Sequence, residues 1–205
     1  YIWLGTDNFI WSSTESNNTE ALSKLLVSNN SNIDHSINNK ADGFSIRCLS
    51  DETQTTTILV PENFATIQAA IDYSIDGDTI LVSAGTYVEN IFIGNVNIVI
   101  LSSDGAGSTI IDGDESGSVI TLENNEYEVS IDGFMITNGL SDWGGGIRIG
   151  VYPTLNLNNM VIIDNHSTNA GGGIFMESGD PLYISNSLIA ENSAATRGGG
   201  VYINT

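Results

Sequence analysis

The chain has almost no positive charge. It carries 5 lysines and arginines against 25 aspartates and glutamates over 205 residues, a formal net charge of −20. Residues 53–205 contain no lysine, and their only arginines are Arg148 and Arg197. Nucleic acids and anionic lipid surfaces are bound through clustered Lys and Arg, so neither partner is expected. Cys48 is the only cysteine, which excludes a disulfide within the chain. No stretch reaches the ~18–20 uninterrupted apolar residues of a membrane span. His35 and His166, the two histidines, fall in different regions and suggest no metal pair. An initiating Met and a signal peptide are also missing. With Tyr1 at one end and strand-like Val201-Tyr202-Ile203 at the other, the chain reads as an internal piece of a longer polypeptide. The acidity suits a secreted or surface protein, or one that collects divalent cations. The Asn-x-Ser/Thr triplets at Asn17, Asn29 and Asn165 are what so Asn- and Ser-rich a chain yields by chance.

What is present is a repeat. The triplets Gly144-Gly145-Gly146, Gly171-Gly172-Gly173 and Gly198-Gly199-Gly200 stand 27 residues apart. Behind them Ile147, Ile174 and Val201 form one apolar series, and Ile149, Met176 and Ile203 another; Ile120 and Leu122 extend both series backwards. Leu155 matches Leu182, Leu157 matches Ile184, Ile162 matches Ile189, and Asn165 matches Asn192. A period of this length built from short alternating strands indicates a solenoid, whose units are too small to bury their own apolar faces and must stack. Alternation sends Ile147 and Ile149 inward and Arg148 outward. The glycines mark corners, and the recurring Asn is expected to bond its counterpart one rung away. One rung is ambiguous: counting from Gly144 aligns Asn138 with Asn165, whereas counting from Ile136 aligns Gly139.

The first fifty residues have a different grammar. They are Asn- and Ser-rich, with a helix-like patch at Glu20–Leu26 between two strand-like pieces, Phe9-Ile10-Trp11 and Gly43–Cys48. A polar run at 53–57 reads as a linker. Beyond it, Phe64, Ile67, Ile71 and Ile75 have near-helical spacing, ended by Asp76-Gly77-Asp78. That helix is expected to lie over the first coil and cover its open edge. Strands are expected at Thr79–Val82, Tyr87–Ile93, Asn97–Leu101, Thr109–Ile111 and Val119–Leu122.

Two resemblances follow from these stretches. Phe9–Ser16 and Gly43–Cys48 resemble the closing part of the Fibrobacter succinogenes major paralogous domain, a C-type-lectin-like module, which implies a truncated α/β lectin-like fold over 1–52. The calcium-dependent lectins' Glu-Pro-Asn and Trp-Asn-Asp motifs are absent, so the resemblance carries no sugar site. Val60–Asp72, Asp76–Val82 and Gly85–Asn90 resemble the start of right-handed parallel β-helix proteins of the pectin-lyase-like superfamily. Asn186–Ser193 with Gly198-Gly199-Gly200 is similar to repeats of bacterial polymorphic outer-membrane proteins. The implied fold over 58–205 is a mainly β, right-handed parallel β-helix with an N-terminal capping helix. The implied localisation is extracellular or on a bacterial cell surface.

Catalytic motifs of that superfamily's enzymes are missing. The Gln68–Ile71 and Gly85–Glu89 stretches resemble pectin methylesterases, but the segments that carry those enzymes' aspartates have no counterpart, and the motif of alginate epimerases is absent too. A lyase site, needing a cationic base, could form only around Arg148 or Arg197. Asp164 and Glu191, 27 residues apart, would be vertical neighbours, read mainly as solvated acids. No cofactor is implied; calcium would suit the acidity, without a motif to hold it. The better candidate is a surface on which Arg148, Phe175 and Tyr202 form an outward column, with Trp143 and Arg197 at its edge. Aromatic rings beside guanidinium groups suit sugar rings, and packing against a loop or domain would explain the same pattern. The expected function is therefore a non-catalytic adhesion or polysaccharide-binding module, with a polysaccharide or cell-surface glycan as partner. A carbohydrate-active enzyme whose catalytic rungs lie outside this stretch, and a purely structural stalk, are the alternatives.

Overall fold

A computed structural model describes the backbone of strands Asp7–Glu15, Glu20–Val27 and Ile33–Asn39, together with residues 55–122, 126–178 and 181–204. The chain divides into two compact units, Tyr1–Glu52 and Thr53–Thr205.

In the first unit the three strands form an antiparallel sheet with Glu20–Val27 in the middle. This corrects the helix expected at Glu20–Leu26. Leu22, Leu25 and Leu26 are spaced as on a helix, but Leu22, Lys24 and Leu26 also alternate, and pairing on both edges decides the outcome. Phe9-Ile10-Trp11 lies in the first strand, while Gly43–Cys48 lies outside the described residues.

The second unit is a parallel β-solenoid. Its first face stacks Thr57–Val60, Thr79–Val82, Ile98–Ser102, Glu128–Asp132, Thr154–Asn158 and Leu182–Ser185. The second face stacks Gly85–Val88, Thr109–Asp112, Met135–Thr137, Val161–Ile163 and Leu188–Ala190. The third stacks Ile91–Ile93, Ile120–Leu122, Ile147–Ile149, Ile174–Met176 and Val201–Ile203. A short face of Leu140–Trp143, His166–Ala170 and Ser193–Ala194 joins the second to the third in the lower turns. Thr57, assigned to the linker by its composition, is already the first residue of a strand. The strand expected over Tyr87–Ile93 is two, because the corner at Glu89-Asn90 passes the chain from the second face to the third.

The core is the set of inward columns. Ile91, Ile120, Ile147, Ile174 and Val201 are in register, as are Ile93, Leu122, Ile149, Met176 and Ile203. Each fully buried aliphatic contributes about 1.5–3 kcal/mol relative to exposure. The columns are buried except in the last rung, where Val201 and Ile203 are 37 % and 42 % exposed.

At the upper end the helix Ile67–Tyr73 packs over the first coil through Ile67, Ala70 and Ile71. It is shorter than expected: Ser74, not the Asp76-Gly77-Asp78 turn, ends it, by donating its backbone N–H to the carbonyls of Ala70 and Ile71. The Thr66 hydroxyl caps its first turn. Glu89 grips the same end from the second-to-third-face corner, accepting hydrogen bonds from the Ile67 and Gln68 N–H groups at 2.9 and 3.0 Å. A carboxylate there also meets the positive end of the helix dipole. The Gln68 side-chain amide accepts from the Phe92 N–H at 2.7 Å and donates to the Phe92 carbonyl at 3.0 Å. It thus treats the topmost strand of the third face as a neighbouring strand would.

Corners are built from side-chain amides and glycines. Asn165, 1 % exposed, donates through Nδ2 to the carbonyls of Ile136 and Ile163 and to Asn192 Oδ1, while its Oδ1 accepts from the Gly139 N–H at 2.9 Å. The ladder expected from the repeat therefore exists, and Gly139 is the upper counterpart of Asn165. The offset is 26 residues up to Ser141↔Ser167 and becomes 27 at Trp143↔Ala170, so the shorter turn is absorbed between those two pairs. Asn165 is also too buried to be a glycan acceptor in the folded chain. Gly171 has φ +68°, in the left-handed region. Gly172 is needed for a different reason: a β-carbon there would collide with the backbone carbonyl of Ser193.

Candidate functional site

The glycine corner between the short face and the third face is concave, and it is lined by stacked side chains. On the short-face side, Trp143, Ala170 and Arg197 occupy one position in three successive rungs. On the third face, Arg148, Phe175 and Tyr202 do the same. Between the two columns lie the glycine triplets, which carry the chain around the corner where a β-carbon would meet neighbouring backbone carbonyls. The result is a cleft of about 490 Å³ that brings together all five residues singled out in the sequence.

The two columns are offset in chemistry. The upper rung sets Trp143 opposite Arg148, and the lower sets Arg197 opposite Tyr202, so ring and cation exchange sides over two rungs. Trp143 and Phe175 have ring centroids 4.9 Å apart at 51°, and Phe175 stacks on Tyr202 at 6.0 Å and 17°. These contacts correct the expected role of Phe175. Alternation does turn its ring away from the coil, but Trp143 and Tyr202 cover it and leave it 5 % exposed. It is the packed backing of the cleft, and Trp143 and Tyr202 are the rings a ligand can touch.

Arg197 Nη1 donates to the Tyr202 hydroxyl at 3.0 Å, with its guanidinium carbon 5.9 Å from the ring centroid. That bond fixes the Tyr202 ring at the lower wall. Arg148 is exposed, and among the described residues neither arginine is engaged in an ion pair. Asn169, Glu177, Thr196 and Asn204 complete the lining. They were not singled out in the sequence, although the repeat could have found them. Glu177 and Asn204 are 27 residues apart, as are Asn169 and Thr196, and the Thr196 hydroxyl donates to the Asn169 carbonyl at 2.7 Å.

The other candidates lie elsewhere. Asp164 and Glu191 occupy equivalent corner positions in successive rungs, both exposed and with φ of 54° and 55°. They are not part of the cleft. His166 Nδ1 is 2.8 Å from the Ser193 hydroxyl, one rung below. Among the described residues no three His, Cys, Asp or Glu side chains converge as a metal site, and no helix is long and apolar enough to cross a membrane.

Near the upper end, Asp78 is buried and accepts from the N–H groups of Ile75 and Thr56 and from the Thr56 hydroxyl. Burial alone would raise its pKa, yet those hydrogen bonds, to Ile75 and Thr56, outweigh it and hold the carboxyl below its ordinary value. Tyr87 is shifted upward by burial and by the nearby Glu62 and Glu89 carboxylates. Both belong to the capped end and play structural parts. No family model, curated protein or solved structure matches this chain.

Proposed function

We propose that the chain is part of a secreted or cell-surface protein and that the glycine-corner cleft binds a glycan without transforming it. The observation that carries this reading is the convergence of Trp143, Arg148, Arg197 and Tyr202 on one hollow, backed by the buried Phe175. Aromatic walls stack on the apolar faces of sugar rings, while the guanidinium groups, Asn169, Thr196 and Asn204 supply donors and acceptors for hydroxyls. The finer fold reading belongs with it: a right-handed coil of the pectin-lyase-like type, as the crossover rule for parallel strands favours, after the tail of a lectin-like module. Calcium is not required by this reading.

The test is a glycan array probed with the wild-type chain and with Trp143→Ala and Tyr202→Ala. Loss of signal in both variants, with circular dichroism unchanged, is expected. Retention of the wild-type binding pattern by both would refute the reading. A lyase is the second reading, because Glu177 shares the cleft with both arginines. It requires new unsaturated-uronate absorbance on a uronan substrate that disappears in Arg148→Gln.

A further inference from the structure

We infer that the ligand of this cleft is an anionic glycan, bearing carboxylate or sulfate groups, and that Arg148 and Arg197 are its anion contacts. This deepens the reading above and rests on it.

The distribution of charge carries the inference. Residues 53–205 hold 18 acidic side chains and only two basic ones, Arg148 and Arg197. The two arginines lie 49 residues apart in sequence and belong to different columns, yet both line the same cleft. Scattered for solubility, they would have no reason to share a hollow. Placed to steady the acidic body, they would pair with its carboxylates, and among the described residues neither does so. Arg197 spends one N–H on Tyr202, and Arg148 donates to none of the described residues. A guanidinium has five N–H donors in a planar fork that matches a carboxylate or sulfate edge. An exposed fork beside an aromatic wall is therefore suited to seat an anion.

The surroundings sharpen the contrast. A body this acidic repels an anion over most of its surface, and the cleft interrupts that field with two like-signed positive groups. A neutral glycan would leave the charge of both guanidinium groups unmatched, whereas a carboxylate or sulfate matches both charge and fork geometry. Glu177 is the one acid in the lining. It lies in the rung of Phe175, between those of Arg148 and Arg197, and the lining remains positive with it. The two seats are two rungs apart, about 10 Å along the stack. The ligand's charged groups belong at the upper and lower rungs, with hydroxyls facing Glu177 between them.

The experiment measures binding of the chain to polygalacturonate (carboxylated), dextran sulfate (sulfated) and dextran (neutral) by isothermal titration at low and high salt. Binding to at least one charged polymer and not to dextran is expected, and the two charged arms tell carboxylate from sulfate recognition. Arg148→Gln should weaken the charged interaction about tenfold, the worth of one charge-assisted hydrogen-bonded contact. Arg148→Gln/Arg197→Gln should abolish it with circular dichroism unchanged. Equal affinity for dextran, or charged binding untouched in the double variant, overturns the inference. If neutral polymer binds in a Tyr202-dependent way and the charged ones do not, the anionic class fails while glycan binding stands. Binding of none overturns both.

Discussion

Replacing Asn165 should be among the most damaging single changes to the solenoid, and two substitutions separate the reasons. The side chain is buried and makes four hydrogen bonds across three rungs: three donated by Nδ2 and one accepted by Oδ1 from the Gly139 N–H. In Asn165→Ala the buried Gly139 N–H loses its partner, costing about 1–3 kcal/mol. The two amide N–H groups, shared among the three acceptors, add about 1 kcal/mol each on net accounting, so the expected loss is about 3–5 kcal/mol. Asn165→Asp keeps the shape and the acceptor for Gly139. It nevertheless turns an ionised oxygen toward the Ile136 and Ile163 carbonyls and Asn192 Oδ1. The folded state must then raise that carboxyl's pKa. By linkage the penalty is small below the unfolded value of about 3.9 and grows as pH rises above it. Urea unfolding followed by circular dichroism, at pH 3.5 and at pH 7, reads both effects. A loss under about 1 kcal/mol for the alanine variant, well below the cost of an orphaned buried donor, would refute the ladder as a source of stability. So would an aspartate variant whose penalty ignores pH.

Two further outcomes are expected. Gly172→Ala puts a β-carbon against the Ser193 carbonyl oxygen and 2.5 Å from that of Gly199. It should cost at least about 1–3 kcal/mol through forced separation of the rungs, read as a fall in the urea midpoint. Asp78 has a folded pKa below its unfolded one, so its contribution is complete above about pH 3.9 and lost as pH falls through the lower, folded value. The stability difference between wild type and Asp78→Asn, measured by thermal unfolding, should therefore narrow only below about pH 4.

The inward columns were legible because a period of 27 and a side-chain period of two act together. Ile120, Ile147 and Ile174 share a column for the same reason that Arg148, Phe175 and Tyr202 share the opposite face. The five cleft residues were legible by that logic, and so was the partnership of Asn165 with Asn192. The burial of Phe175 was not. Alternation gives the direction of a side chain but not what lies over it, and the cover comes from Trp143 around the glycine corner. The place of Gly139 needed the hydrogen bond to Asn165, because a glycine has no side chain with which to declare its register. The Tyr87–Ile93 stretch hid a corner because Glu89 and Asn90 continue the run between two strands. At Glu20–Leu26, local spacing favoured a helix, and long-range pairing won.

The Gln68 amide blunts the upper edge of the third face. Strand-on-strand growth needs a free row of N–H and C=O groups. On the third face the upper row has its Phe92 pair taken by one side chain, with the helix lying across the coil behind it. A strand from another chain could pair along that row only after displacing the Gln68 amide from Phe92, so the cap resists edge-to-edge association at the upper edge of this face.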